Sequence, residues 1–282
     1  MGHDFCGWYY KCQTNEHAAA LIPAVHTGGG ERSCSLQLIC DGENWNIPLP
    51  GRQLRMSRSR PWALLDGSSF QGDGIRLSLH TDALSAEGAL RFGPPSPIRY
   101  DIMGPFRYVP FMECRHSVYS MRHRVDGRLS INGRDYCFDG GTGYIEGDRG
   151  RSFPRHYLWT QCCFEAGSLM LAAAEIPLGP IRFTGIIGVI QTQGEEYRLA
   201  TYLGARAEEI GGGRIRVRQG DMVLTAALLE QSACRLQAPE TGAMTRTIRE
   251  NVSCRARYCL KKGGRTLLEL DTPSASFEYE YP

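Results

Sequence analysis

Between Tyr144 and Phe164 the sequence YIEGDRGRSFPRHYLWTQCCF sets two carboxylates, three arginines, a histidine and a proline among aromatic side chains. Glu146 and Asp148 are two apart, so on an extended backbone they share a face with Tyr144. Neighbouring carboxylates push their pKa values apart, which can leave one protonated as a general acid. The same residues also fit a solvated turn whose acids pair with Arg149 and Arg151. Further on, Tyr157, Trp159, Gln161 and Cys163 share one strand face, suited to lining a pocket or packing a core. Burying Gln161 without partners costs about 1–3 kcal/mol, so its amide must either meet a ligand or reach backbone.

The elements that position these groups are short strands. The stretch itself reads as an extended segment, a turn around Gly147 to Gly150, a Phe153-Pro154 break and a strand from His156 to Phe164. Upstream, strands are expected at Phe5 to Gln13, His17 to His26, Ser33 to Cys40 and Trp45 to Leu49. Arg52 to Arg60 follows as a loop or edge strand, then a hairpin at Ile75 to His80 and Leu84 to Phe92. In the opening strand Trp8 and Tyr10 lie on one face, Tyr9 and Lys11 on the other. The prolines of Gly93 to Pro97 end the ladder, because proline supplies no N–H. A strand from Met112 to Val125 is expected to turn at Asp126-Gly127, and a shorter one to turn at Asn132-Gly133, both strong hairpin dipeptides. Downstream strands are expected at Ser168 to Ile176, Ile181 to Thr192, Tyr197 to Leu203, Arg214 to Val217, Met222 to Leu229, Arg246 to Leu260, Thr266 to Leu270 and Ser276 to Tyr281. Helical periodicity never lasts three turns, and Ala226 to Cys234 is the best short candidate. Many strands at regular spacing with glycine turns predict an all-β sandwich or barrel.

Composition narrows the function classes. The chain has 282 residues, 42% hydrophobic and 22% charged, which is globular and long enough for one large or two ordinary domains. A net charge of +2 supplies no basic surface for nucleic acid. The first residues do not read as a signal peptide and no apolar run along the sequence approaches membrane-helix length, so a cytoplasmic protein, peripheral to a membrane at most, is expected. The 11 cysteines lack CxxC pairs and read as reduced thiols. His116 and His123, seven apart, fall on opposite strand faces and the other histidines are scattered, so no metal site is expected. Arg214, Arg216 and Arg218 alternate with Ile215 and Val217 as a half-exposed strand. No phosphate-cradling glycine loop or GxSxG nucleophile motif is present.

GWYYK at 7–11 resembles the G-W-Y-x-K opening of tocopherol cyclase-like proteins. The central stretch is similar to that family's Y-x-E-K-x-W-G-x-x-F-P-x-x-W-x-W-x-Q-C segment, matched by Tyr144, Glu146, Gly150, Phe153, Pro154, Trp159, Gln161 and Cys162. Leu236 to Pro239, Cys254 and the Leu267 to Phe277 run resemble the family's ending. Gly147-Asp148-Arg149 replaces its K-x-W, and Tyr157 its first tryptophan of W-x-W. The resemblance implies an all-β fold of two lipocalin-like antiparallel β-barrel domains, here 1–152 and 153–282, and relates the chain to carotenoid hydratases. It implies cyclisation of a prenylated quinol or phenol to a chromanol without cofactor or metal.

That reaction adds a phenolic O–H across an alkene. On this reading Glu146 is the proton donor and Asp148 the second choice. Trp159 and Tyr144 offer ring faces to a developing cation. Gln161, Arg151 or His116 would orient the quinol hydroxyls, and Trp8, Tyr10, Arg149, Phe153 and Tyr157 complete the expected ligand-binding set. The expected partner is an apolar small molecule, a prenylated aromatic or isoprenoid. The same barrel also suits a non-catalytic binder of a prenyl lipid, or an isoprenoid alkene hydratase.

Overall fold

The computed structural model describes residues 4–281 except 29, 52, 66, 111, 179–180 and 231–233. Apart from two 3-10 turns, Gly104–Tyr108 and Thr201–Leu203, every regular element among the described residues is a β-strand. The chain divides into two compact units, each discontinuous in sequence. One comprises Met1–Ile98, Phe111–Phe153 and Arg235–Thr247, the other Arg99–Pro110, Pro154–Cys234 and Ile248–Pro282.

The first unit's strands are β1 (Asp4–Gln13), β2 (Ala18–Gly28), β3 (Glu31–Cys40), β4 (Glu43–Pro50), β5 (Leu54–Met56), β6 (Trp62–Leu65), β7 (Ser68–Gln71), β8 (Gly74–His80), β9 (Ser85–Phe92), β10 (Cys114–Ile131), β11 (Arg134–Cys137) and β12 (Gly141–Gly150). They form one antiparallel sheet ordered β4-β3-β2-β1-β12-β10-β9-β8-β7-β6-β5, with β11 on β10. The sheet curls so that β5, at one end of this order, returns to β3 near the other: Arg32 on β3 donates to the Leu54 carbonyl on β5 at 3.3 Å. Within the curl, Trp8, Tyr10, Leu36, Leu38, Phe70 and Val125 share one core. Alternation puts Tyr9, Lys11 and Gln13 on the reverse face of β1, and these too are buried.

The second unit holds β13 (Tyr157–Phe164), β14 (Gly167–Leu178), β15 (Ile181–Thr192), β16 (Glu195–Ala200), β17 (Arg206–Gly211), β18 (Arg214–Gln219), β19 (Met222–Leu228), β20 (Cys234–Glu240), β21 (Ala243–Lys262) and β22 (Arg265–Tyr279). Their order is β16-β15-β14-β13-β22-β21-β19-β18-β17, with β20 on β21. Leu158, Leu171, Ile190, Val217, Tyr258 and Phe277 belong to its core. Tyr157, Trp159, Gln161 and Cys163 occupy the reverse face of β13, again buried.

Several sequence expectations are overturned. Asp126-Gly127 is not a hairpin: β10 runs straight through it, with Asp126 opposite Arg91 and Gly127 opposite Leu90. Glycine is needed there because a Cβ would meet the Ala89 carbonyl oxygen at 2.1 Å, not because the chain reverses. Asn132-Gly133 is the true turn, both residues at positive φ. No turn occurs at Gly147 to Gly150 either, since β12 continues to Gly150 between β1 and β10. Thr266 to Tyr281 holds one long bulged strand instead of two. Strands β6, β7 and β17 had no strong alternation to reveal them. The short helical candidate at Ala226 to Cys234 is not a helix where the structure describes it: β19 extends to Leu228 and β20 starts at Cys234, with 231–233 outside the described residues. Arg216 and Arg218 both clasp Glu208, as a half-exposed strand allows.

Candidate active site

Strand β12 carries Tyr144, Glu146 and Asp148 on the face opposite the first unit's core. Directly opposed residues in an antiparallel pair share a face. The register therefore adds Lys11, Tyr9 and Gly7 from β1, and Val118 and His116 from β10. The pairing of His116 with Asp148 brings together residues 32 apart in sequence.

The imidazole stands between the two acids. His116 Nδ1 lies 2.9 Å from Asp148 Oδ1, and Nε2 lies 3.0 Å from Glu146 Oε2. The first contact is a well-formed hydrogen bond. The second is an ion-pair contact off the axis of a hydrogen bond, so Nε2 is held close to Glu146 without being locked to it. Tyr144 Oη donates to the same Oε2 at 2.5 Å. Cys114 Sγ approaches Asp148 Oδ1 at 3.4 Å, and Ser117 Oγ donates to the Gly147 carbonyl at 2.9 Å. Exposure falls along the row, from 22% for the Asp148 side chain to 10% for His116 and 6% for Glu146. The cluster is thus wet at one end and dry at the other.

Electrostatics assign the protons. Burial alone would favour neutral imidazole, but the Glu146 and Asp148 carboxylates outweigh it and hold His116 well above its usual pKa. The ring is therefore an imidazolium near neutral pH. Burial, reinforced by Glu146, holds the Tyr144 hydroxyl far above its usual value, so it remains a donor. Burial and then Asp148 keep Cys114 a thiol.

His116, Glu146 and Asp148 also offer three ligand atoms within 4.8 Å of one another. Their arrangement does not suit a metal ion. The carboxylates sit at opposite nitrogens of one ring, whose lone pairs diverge, so the three donors do not converge on a point. The donor set is that of a proton-bearing ion cluster.

The remaining expected residues separate. Trp8 and Tyr10 lie on the core side, away from the acids. Trp8 still shapes the site, because its ring covers Gly147 while its Nε1 donates to the Ser57 carbonyl at 2.8 Å. Arg149 does not pair with the acids: it points to the other side of β12 and donates to the Arg58 carbonyl at 2.9 Å. Arg151 is exposed, its backbone N–H bonded to Glu113 and its carbonyl to Gly242. Phe153 packs edge-on against Phe5 at 5.4 Å. Tyr157, Trp159 and Gln161 belong to the second unit. There Tyr157 Oη donates to Glu278 Oε2 at 2.5 Å, and Trp159 stands opposite Glu278. Among the described residues the Gln161 side chain reaches no backbone group and no side-chain oxygen: its Nε2 meets Cys163 Sγ at 3.3 Å. Tyr9, Lys11, Cys114 and Ser117 were not singled out from sequence. Their positions depend on which strands pair, for which a single sequence carries no signal.

Fold and site together define an all-β, lipocalin-like protein of two large antiparallel sheets, with a buried imidazole–carboxylate cluster on the reverse face of one. No protein-family model matches the chain, and no curated protein matches it in sequence. Solved structures do. CghA with Sch210972 is similar over 99% of this chain and 88% of its own, at 9% identity and a TM-score of 0.64. A candidate AttH protein from Nitrosomonas europaea is similar over 100% and 93%, at 10% identity and 0.56. Kievitone hydratase from Nectria haematococca is similar over 99% and 89%, at 10% identity and 0.56. At such identities the likeness is one of fold, and the resemblance to tocopherol cyclase-like proteins rests on the sequence motifs.

Proposed function

We propose that this protein is an enzyme of the cyclase/hydratase type that adds an O–H group across a carbon–carbon double bond of an apolar small molecule. The carrying observation is the charged His116 ring set between Glu146 and Asp148 on a buried face. Such an addition needs a base for the attacking hydroxyl and an acid for the alkene carbon. Glu146 suits the first role, since its Oε2 already accepts from Tyr144. His116 suits the second, which moves the proton donor from Glu146, the sequence-based choice, to the imidazolium.

In the step, a C–O bond forms as the O–H proton passes to Glu146, and a C–H bond forms with the proton of His116 Nε2. The pair is left as a carboxylic acid and a neutral imidazole. Transfer across the 3.0 Å between Oε2 and Nε2 restores both, with no change of oxidation state. Asp148 holds Nδ1 and so fixes the ring while Nε2 loses and regains its proton. An imidazolium between two carboxylates is a weak acid towards an isolated alkene, so a double bond conjugated to a carbonyl suits it best. When the hydroxyl is a phenol of the same molecule, the product is a six-membered cyclic ether fused to the aromatic ring, a chroman that keeps any carbonyl the substrate carried; when it is water, the product is an alcohol. The fold shared with kievitone hydratase supports this class of chemistry.

The test is incubation of the purified protein with prenylated quinols, ortho-hydroxyaryl enones and isoprenoid enones, followed by chromatography and mass spectrometry. An isomer of unchanged mass means cyclisation, and gain of one water means hydration. Binding without turnover of any member would make the chain a carrier and overturn the enzymatic reading.

A further inference from the structure

One end of the first unit's sheet finishes in a rim of arginines that takes no part in the chemistry above. The core-facing side of β1, β3 and β12 holds Trp8, Cys34 and Ile145, and alternation carries it outward to Asp4, Arg32 and Arg149. Register sets Arg32 and Asp4 on either side of Thr27 of β2. It likewise sets Cys6 and Arg115 on either side of Arg149.

These side chains converge on one segment, Leu54 to Arg60. Arg32 donates to the Leu54 carbonyl at 3.3 Å, and Arg149 to the Arg58 carbonyl at 2.9 Å. Arg58 grips Asp4 through both terminal nitrogens, Nη2 at 3.0 Å from Oδ1. Burial raises the Cys6 thiol to about 11 while Arg58 and Arg149 each pull it down, which sets both guanidiniums beside it. Arg55 and Arg60 lie on the same segment and are exposed, as are Arg32 and Arg58. Arg115 faces Arg149 directly, a like-charge pairing that an antiparallel ladder disfavours. Asp4 is the one carboxylate in these two rows, and it belongs to Arg58.

Six arginines thus gather at one end of a unit in a chain whose net charge is only +2. The type of surface narrows what can cover it. Among the described residues the exposed large apolar side chains are Tyr100, Tyr108, Leu203 and Leu229, all in the second unit. The rim therefore offers no exposed ring on which a base could stack. Nor does it offer an apolar anchor of the kind that centres a protein interface. It offers charge, in guanidinium forks that match phosphate oxygens in pairs. Clusters of this size suit a face of mobile lipid phosphates, which need no fixed register. We propose that this rim docks on a membrane surface rich in anionic phospholipid. The docking is independent of the proposed reaction and is observed without turnover.

The test is co-sedimentation with vesicles of phosphatidylcholine alone and of phosphatidylcholine and phosphatidylglycerol in equal parts. The mixed vesicles should bind the protein at least about tenfold more strongly, a preference lost in about 0.5 M salt. Arg55→Glu combined with Arg60→Glu alters two exposed side chains outside the hydrogen bonds just described. That variant should weaken binding to the mixed vesicles about tenfold or more. Arg76→Glu combined with Arg128→Glu, exposed on β8 and β10, changes the net charge equally and should leave binding intact. Equal binding to both kinds of vesicle, binding to neither, or equal loss in the two double variants would overturn the proposal. Capture of a single-stranded oligonucleotide more tightly than the mixed vesicles would also overturn it, by making the rim a nucleic-acid face.

Discussion

Gly147 lies beneath the indole of Trp8, so close that a Cβ added there would stand 2.6 Å from Cε3 of the ring. The contact explains why glycine separates Glu146 from Asp148: the core-side tryptophan needs the backbone of β12 bare between the two acids. Gly147→Ala overpacks this point, and the expected cost is about 1–3 kcal/mol. It also displaces the strand that holds both carboxylates against His116. Thermal unfolding should show a midpoint several degrees lower, with turnover reduced beyond the loss of folded protein. Gly211→Ala is the control, since nothing lies within 4 Å of a Cβ there. Equal midpoints for the two variants would contradict the packing account.

Glu146→Gln and His116→Gln each remove one half of the acid–base pair. Each should lower kcat about 10²–10⁴-fold, the usual worth of a positioned proton-transfer group. Glu146→Gln should leave ligand affinity within a few-fold. Because the two act as a unit, the double variant should fall little further than either single one. Steady-state kinetics on whichever substrate the panel yields checks this. Full activity in Glu146→Gln would remove it as the base, and multiplicative losses would mean that the residues act separately.

Stability falls on the acid side because two histidines are buried neutral. Burial lowers His26 and His123 to about 4 from 6.5. The unfolded chain therefore binds protons on these groups before the folded chain does, and stability falls as pH drops from about 6.5 to about 4. His116 runs the other way: its contribution is complete below about 6.5, the unfolded value, and is lost as pH rises from there through the raised value of the folded state. Urea unfolding midpoints at intervals between pH 4 and 8 should decline on the acid side. His123→Leu should flatten that decline by about half. An unchanged acid slope in this variant would mean that His123 is not buried neutral.

Much of the fold was legible because burial on one face writes a period of two into a strand. The opening strand's division into Trp8/Tyr10 and Tyr9/Lys11, and the shared face of Tyr157, Trp159 and Gln161, come straight from that period. What misled were glycines: Gly127 and Gly147 look like turn residues, yet each is there because another group presses on the strand, the Ala89 carbonyl in one case and Trp8 in the other. The acids' common face was legible too. The partner that gives them chemistry was not. His116 reaches Glu146 and Asp148 through a β10–β12 pairing whose register shifts twice between Val118 and His123, and local sequence does not encode such shifts.

Arg198 ties together two segments of the second unit. Its guanidinium is buried, ion-paired to Glu196 at 3.2 Å, and it donates to the carbonyls of Tyr100 at 2.9 Å and Asp101 at 3.2 Å. It also donates to Tyr202 Oη at 3.2 Å and lies 3.7 Å from the Tyr100 ring centroid. One planar fork thus fastens the segment that carries the Gly104–Tyr108 turn to β16. Lysine offers a point charge instead of a fork, so Arg198→Lys keeps the ion pair but loses most of the clasp. Arg198→Met loses both and leaves Glu196 buried without its cation, at a cost of about 3–5 kcal/mol. Limited trypsin digestion should cut at Arg99 and Arg107 slowly in the parent protein, faster in the lysine variant and fastest in the methionine variant. Equal rates in all three would mean that the segment is held by its other contacts, the packing of Phe106 on Tyr202 foremost.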